Sequence, residues 1–182
     1  MSDYSIDPQT IVDFWRDLGS ERWFARDDEL DETIRQRFAD VHERAASGEL
    51  DDWAEEPNGA LALVILLDQF SRNIHRDTPK MYENDEKALS IARRALARGD
   101  QYHVGEDVNQ FLAMPHMHSE TLADQEECVE LMGEFGEENL AYAVDHRDIV
   151  KTFGRFPHRN AILGRRTTPE EQEFLDGGGF AG

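Results

Sequence analysis

The apolar residues of this chain recur every three or four positions, which is the spacing of amphipathic helices, and no stretch alternates as a β-strand does. The first helix is expected to begin at Pro8, after the N-cap Asp7, and to end at Gly19. A longer helix is expected from about Asp28 to a stop at Gly48. Each helix has an apolar face, formed by Ile11, Trp15 and Leu18 in the first and by Leu30, Ile34, Phe38, Val41 and Ala45 in the second.

The segment 60–70 is apolar nearly all round, which predicts a central helix covered by its neighbours on most sides. Thr78 and Pro79 restart the chain before a helix that runs to Gly99, and Pro115 is expected to interrupt the next one. The last helix is short and begins with a capping box at 168–171. Two longer helices precede it, with apolar positions at Leu122, Val129, Met132 and Phe135, and at Leu140, Val144, Val150 and Phe153. The pattern predicts an all-α protein of seven or eight helices, in a single domain over residues 1–182 with a short Gly-rich tail at 176–182.

The charge of the chain excludes some classes of partner. Its 182 residues include 39 acidic and 19 basic side chains, which gives a formal charge of −20. Such a chain repels phosphate backbones and anionic lipid, so we expect neither nucleic acid nor a membrane as a partner. Only Lys80, Lys87 and Lys151 are lysines, which fits a salt-tolerant source or, equally, a genome that prefers arginine.

Segments for export or membrane insertion are not evident. The N-terminal residues are polar and acidic, and the longest apolar run, at 60–67, is much shorter than the roughly 20 residues of a membrane span. The single cysteine, Cys128, can form neither an internal disulfide nor a cysteine metal cluster, and a packed, inert thiol is expected there. We therefore expect a cytoplasmic protein without a cofactor.

A local repeat places an Arg-Asn pair after each of two long helices. Arg72 and Asn73 follow Phe70, and Arg159 and Asn160 follow Phe156. The two corners could face one pocket, or they could be helix ends whose carbonyls accept hydrogen bonds from guanidinium and amide donors.

The segment 149–169 is the electrostatic anomaly of the chain, because it contains no acidic residue. Its cations are Lys151, Arg155, Arg159, Arg165 and Arg166. One interpretation is an anion site, since guanidinium groups bind carboxylate and phosphate well. The other is a basic segment held onto acidic helices by ion pairs. If it is an anion site, protonation of His158 and His118 should raise anion affinity as the pH falls toward 6.

Histidines form a second candidate cluster. His116 and His118 would point the same way only in an extended chain, and on a helix they would diverge, so a metal site there requires a non-helical segment. His118 could instead act as an acid or base with Glu120 or Asp124. Because no third ligand is near in sequence, we predict no metal. The chain has no recognisable nucleophile, phosphate-loop or dinucleotide motif.

Several blocks of the sequence together resemble a bacterial family known as domain of unknown function 924. They are I-V-D-F-W at 11–15, W-F at 23–24, L-L-D-Q-F-S-R-N at 66–73, M-H-S-E-T-L-A-D-Q at 117–125 and H-R-D-I-V-K-T-F-G-R-F-P-H-R-N at 146–160. The resemblance covers essentially the whole chain. It implies tetratricopeptide-like antiparallel helix pairs that form a superhelical bundle, and it implies no reaction.

The blocks that carry this resemblance are mostly polar, which a motif that serves packing alone would not be. Among their polar residues are Asp68, Gln69, Arg72, Asn73, His118, Glu120, Asp124, Gln125, His146, Arg147, Asp148, Arg155, His158, Arg159 and Asn160. The chain departs from the pattern at Ser71, where the family has a proline, and at His116, where an apolar residue is usual.

Two functions are consistent with these features. The first is a helical binding module, a monomer or homodimer, that holds a small anion or a peptide carboxylate in a concave polar site. Its ligand-binding residues would be Arg72, Asn73, His118, Glu120, Asp124, Gln125, His146, Arg155, His158, Arg159 and Asn160. The alternative is a hydrolase or lyase that uses His118 or His146 as its acid-base group, with or without a metal. We favour the binding module, because no nucleophile or complete metal set is visible.

Overall fold

The computed structural model describes residues 6–180, and within that range the secondary structure is entirely helical, with no strand. Seven of its α-helices have at least eight residues. The α-helices are α1 Pro8–Leu18, α2 Ser20–Trp23, α3 Asp28–Ser47, α4 Pro57–Val64, α5 Ser71–Ile74, α6 Asp85–Arg98, α7 Met114–His118, α8 Leu122–Met132, α9 Glu137–Phe153 and α10 Pro169–Asp176. The all-α prediction is confirmed.

Helix termini follow the signals in the sequence. The Asp7 carboxylate accepts a hydrogen bond from the Thr10 amide at 2.8 Å and caps α1. At the start of α10, Thr168 accepts from the Glu171 amide while the Glu171 side chain accepts from the Thr168 amide, which is the predicted capping box. Gly48 ends α3 in the left-handed conformation, with a φ of 91°.

The described residues divide into two compact units. The first comprises residues 6–76 and 80–115, and the second comprises 77–79 and 116–180. The prediction of a single domain with tetratricopeptide-like pairing stays a prediction. Among the described residues, no helix combines the length and the apolar composition that crossing a bilayer requires.

An almost continuous helix at the centre of the first unit is formed by α4, a π-helical turn at Ile65–Phe70, and α5. All side chains from 60 to 70 are buried, as the sequence predicts. Phe70 packs against three other aromatic rings, with centroid distances of 5.0 Å to Phe38, 5.6 Å to Trp15 and 5.9 Å to Phe14. These rings give the first unit its aromatic core.

Two prolines mark boundaries between helical elements. Pro79 begins a short 3-10 turn, Pro79–Tyr82, and helix α6 starts only at Asp85. Pro115 was expected to interrupt a helix, but it is the second residue of α7. The backbone N–H groups of the first helical turn have no partner within the helix, so a proline there costs no hydrogen bond. The prediction that Pro115 interrupts a helix is therefore wrong, because this proline lies at the beginning of a helix rather than inside one.

In the second unit, α8 packs against α9, and Ile149, Val150 and Phe156 form a small apolar core. Helix α10 contributes Phe174, whose ring lies 5.1 Å from that of Phe153. The loop between α9 and α10 thus leads the chain back to the apolar core of the second unit. This loop contains most of the basic segment.

Candidate functional site

The first Arg-Asn corner is occupied by partners within the first unit. Arg72 donates hydrogen bonds to the Asp68 carbonyl at 2.7 Å and to both carboxylate oxygens of Asp85. Burial lowers the pKa of Arg72, but the carboxylates of Asp68 and Asp85 outweigh it and raise the pKa. Asn73 donates to the buried Asp31 carboxylate at 2.8 Å. These contacts support the structural interpretation of this corner.

Arg72 and Asn73 belong to the first unit, whereas the other proposed binding residues belong to the second. The convergence of both corners on one site therefore stays a prediction.

Arg155 and Asn160 in the second unit share one carboxylate. The Arg155 guanidinium donates to both oxygens of Glu171, at 2.6 and 2.9 Å, and the Asn160 amide donates to Glu171 at 3.0 Å. The hydrogen bonds from Arg155 and the Thr168 amide, opposed by burial, lower the pKa of Glu171 to about 2. Arg155 and Asn160 are therefore part of a structural network.

Glu120 is engaged in a similar way. Its carboxylate accepts two hydrogen bonds from Arg165, at 2.7 and 3.0 Å, and one from the Phe156 amide at 2.7 Å. Burial raises the pKa of Glu120, but the hydrogen bonds from Arg165 and Phe156 outweigh it, so the pKa is lowered. The ion-pair interpretation of the basic segment thus holds for Arg155 and Arg165.

Asp124 and Gln125 fix the turn that follows α7. The buried Gln125 amide donates to the carbonyls of Met117 and Ser119, each at 2.7 Å, and Asp124 accepts from the Ser119 hydroxyl at 2.6 Å. Their visible role is to position the backbone around His118.

The remaining predicted residues form what we call the imidazole cluster, which consists of His118, His146, His158 and Arg159. They come from the end of α7, from α9 and from the 3-10 turn Pro157–Arg159. Arg159 is buried, donates to the His118 carbonyl at 2.9 Å and lies 4.8 Å from the centroid of the Phe156 ring. The rings of His146 and His158 each lie 5.6 Å from that same ring.

Two imidazoles of the cluster are neutral near pH 7. Burial, followed by the charge of Arg159, lowers the pKa of His158 to about 3. Burial, opposed by a hydrogen bond to the Tyr142 carbonyl, lowers the pKa of His146 to about 4. The expectation that His158 gains charge near pH 6 is therefore wrong, because a buried imidazole beside a guanidinium resists protonation.

The low pKa of His146 predicts a fall in stability under mild acid. Between pH 6.5 and 4.5 the unfolded chain binds a proton at this histidine that the folded chain does not. We expect this residue alone to lower the free energy of unfolding by about 2 kcal/mol at pH 4.5 relative to pH 7. Urea unfolding across this range should show a smaller loss in His146→Gln than in the wild type. His103→Gln, at an exposed histidine, should keep the wild-type loss, and equal losses in all three proteins would contradict the assignment.

A metal site at His116 and His118 is not supported by the geometry. Both lie in helix α7, so their side chains diverge, and within residues 6–180 no group of three or more suitable side chains could hold a metal. The His116 side chain is fully buried, with its Nε2 3.6 Å from the Glu127 carboxylate. His116 thus occupies a core position, as the apolar residue usual there would.

Two further residues have structural roles. Burial raises the pKa of Cys128 to about 12, which agrees with an inert thiol. Ser71 donates to the Leu67 carbonyl at 2.7 Å, so its oxygen accepts from the Nε2–H of buried His42 at 2.8 Å. Burial lowers the pKa of His42 to about 4. A serine at this position therefore provides the acceptor for a neutral core histidine.

The sequence did not reveal two aromatic components of the cluster. Phe156 is fully buried beneath the imidazoles, and the ring of Phe180 lies 4.6 Å from His146 and 5.2 Å from His158. The F-P-H-R-N block contains Phe156, so its position was a usable signal. Phe180 follows a Gly-rich stretch typical of a tail, and nothing in the sequence indicates that it returns to α9.

Comparison with known proteins gives a family and a fold but no activity. The model of a family described as bacterial protein of unknown function, DUF924, matches residues 11–179. A solved structure of a protein of unknown function from Agrobacterium tumefaciens, ATU0120, is 45% identical, with a TM-score of 0.90 over 93% of this chain and 97% of that one. No curated protein matches the chain. The family match spans nearly all of the sequence, and the chain therefore belongs to the DUF924 family.

Proposed function

We propose that this protein is a helical binding module whose second unit holds a small carboxylate or another small anion at the imidazole cluster. The observation that carries the proposal is the buried Arg159, which donates to the His118 carbonyl and lies over the Phe156 ring that the imidazoles of His146 and His158 also approach. A guanidinium removed from bulk water favours an anionic ligand, and its planar donors match a carboxylate.

A buried ring nitrogen of His158 supports a ligand at the imidazole cluster. The Nδ1 atom of His158 is buried and forms no hydrogen bond with any described residue. A polar ligand atom would satisfy this nitrogen.

The neutral histidines suit recognition more than catalysis. An imidazole with a pKa of about 4 or 3 is far from the value at which it would exchange protons efficiently near pH 7. A neutral ring nevertheless offers one N–H donor and one acceptor nitrogen, which can orient a carboxylate or hydroxyl group. A hydrolase or lyase role for His118 or His146 stays a prediction.

Replacement of Arg159 by methionine should remove anion binding. The test uses inorganic phosphate, acetate and succinate, and it measures the rise in melting temperature of each variant relative to the same variant without ligand. We expect stabilisation of the wild type, partial retention in Arg159→Lys and none in Arg159→Met. Arg166→Met is the matched control, because Arg166 is an exposed arginine of the same segment.

Imidazole NMR signals locate the ligand in the same experiment. The signals of His118, His146 and His158 should shift on titration, whereas that of the exposed His103 in the first unit should not. If no anion shifts the cluster signals, or if Arg166→Met loses stabilisation as fully as Arg159→Met, the proposed function is wrong.

A further inference from the structure

The residue that covers the imidazole cluster belongs to the chain itself. Phe180 rests against His146 and His158, yet 39% of the residue is exposed. The ring is therefore placed on the two imidazoles without being enclosed in the core. Another aromatic ring can therefore take this place on the two imidazoles without opening the core.

The position of Phe180 is specified by the backbone that precedes it. Gly178 has a φ of 81°, which favours glycine, and the Gly179 amide donates to the Phe174 carbonyl at 2.9 Å. A Cβ at Gly179 would lie 2.5 Å from the Phe174 ring, so a side chain there forces the tail to shift. The glycines thus bring the chain close to the end of α10 and direct it back toward α9.

The surface under Phe180 combines aromatic character with a nearby cation. The two imidazoles on which it rests flank Phe156, and the Arg159 guanidinium lies over that same ring. A ligand that fits both features carries an aromatic ring a short distance from a carboxylate. The ring would replace Phe180, and the carboxylate would contact Arg159.

We propose that the ligand of the imidazole cluster is an aromatic carboxylate of the arylalkanoate class, and that Phe180 occupies the position of its ring when the ligand is absent. The inference rests on the proposed function and specifies its ligand. The tail then acts as an intramolecular competitor, and removing the Phe180 ring raises affinity for the aromatic ligand but not for a carboxylate without a ring.

The test compares 3-phenylpropionate with propionate by calorimetric titration of the wild type and of Phe180→Ala. We expect Phe180→Ala to bind 3-phenylpropionate about tenfold more tightly than the wild type does, with propionate affinity unchanged. Gly179→Ala should show a gain in the same direction, because it displaces Phe180 without removing it. Phe24→Ala, at an exposed aromatic residue of the first unit, should show no gain.

The outcomes separate this inference from the proposed function. If propionate or phosphate binds but Phe180→Ala leaves 3-phenylpropionate affinity unchanged or weaker, Phe180 does not mark the ring site and the inference is wrong. The proposed function then stands. If no carboxylate or phosphate binds to any variant, both proposals are wrong. Melting curves of the ligand-free variants show in each case whether the fold is intact.

Discussion

Replacing Glu171 by alanine is expected to lower the free energy of unfolding by about 3 kcal/mol. The carboxylate is 2% exposed and accepts hydrogen bonds from Arg155, from the Asn160 amide and from the Thr168 backbone. Its loss leaves the Arg155 guanidinium without a carboxylate partner, removes the nearer acceptor of the buried Asn160 amide and removes half of a capping box. Urea unfolding at pH 7 measures the change directly.

The neighbouring Glu170 is a matched control for this experiment. It has the same charge and lies in the same first turn of α10, but it is exposed. We expect Glu170→Ala to change the free energy of unfolding by less than about 1 kcal/mol. Similar losses in the two variants would mean that the charge near the helix terminus, and not the network around Glu171, is responsible.

Replacing Phe70 by alanine should lower the free energy of unfolding by about 3 to 5 kcal/mol. Phe70 is fully buried in the first unit, where its ring contacts those of Phe14, Trp15 and Phe38. The substitution leaves a cavity lined by rigid rings that collapse poorly into it. Thermal and urea unfolding, followed by tryptophan fluorescence, would report the loss.

Phe24 is the comparison residue for Phe70. It is an aromatic side chain of the same unit, but it is 65% exposed. Phe24→Ala should lower the free energy of unfolding by less than about 1 kcal/mol. A loss at Phe70 no larger than the loss at Phe24 would contradict the assignment of the aromatic core.

The sequence predicts the helices well because their determinants are local. Apolar spacing and the signals at Asp7, Gly48 and Thr168 lie within one or two turns of the ends that they specify. The prediction at Pro115 was wrong because a proline indicates either the start of a helix or an interruption of one, and the sequence nearby does not tell which. Only the residues that precede it, which form a 3-10 turn at Asn109–Leu112, decide between these two positions.

The site was harder to predict because its contacts join residues that are far apart in the chain. Arg165 binds Glu120, which lies 45 residues away, and Arg159 donates to the carbonyl of His118, which lies 41 residues away. An acid-free segment therefore gave no sign that Arg155 binds Glu171 and that Arg165 binds Glu120. The sequence singled out this segment and its polar residues, and their part in a binding site stays a prediction.

The hydrogen bond between His42 and Ser71 has an evolutionary consequence. A proline at position 71 would offer no hydroxyl to the Nε2–H of the buried His42. A relative with proline at 71 that kept His42 would carry an unsatisfied donor in its core. Positions 42 and 71 are therefore expected to change together during descent, so each residue limits which substitutions selection tolerates at the other.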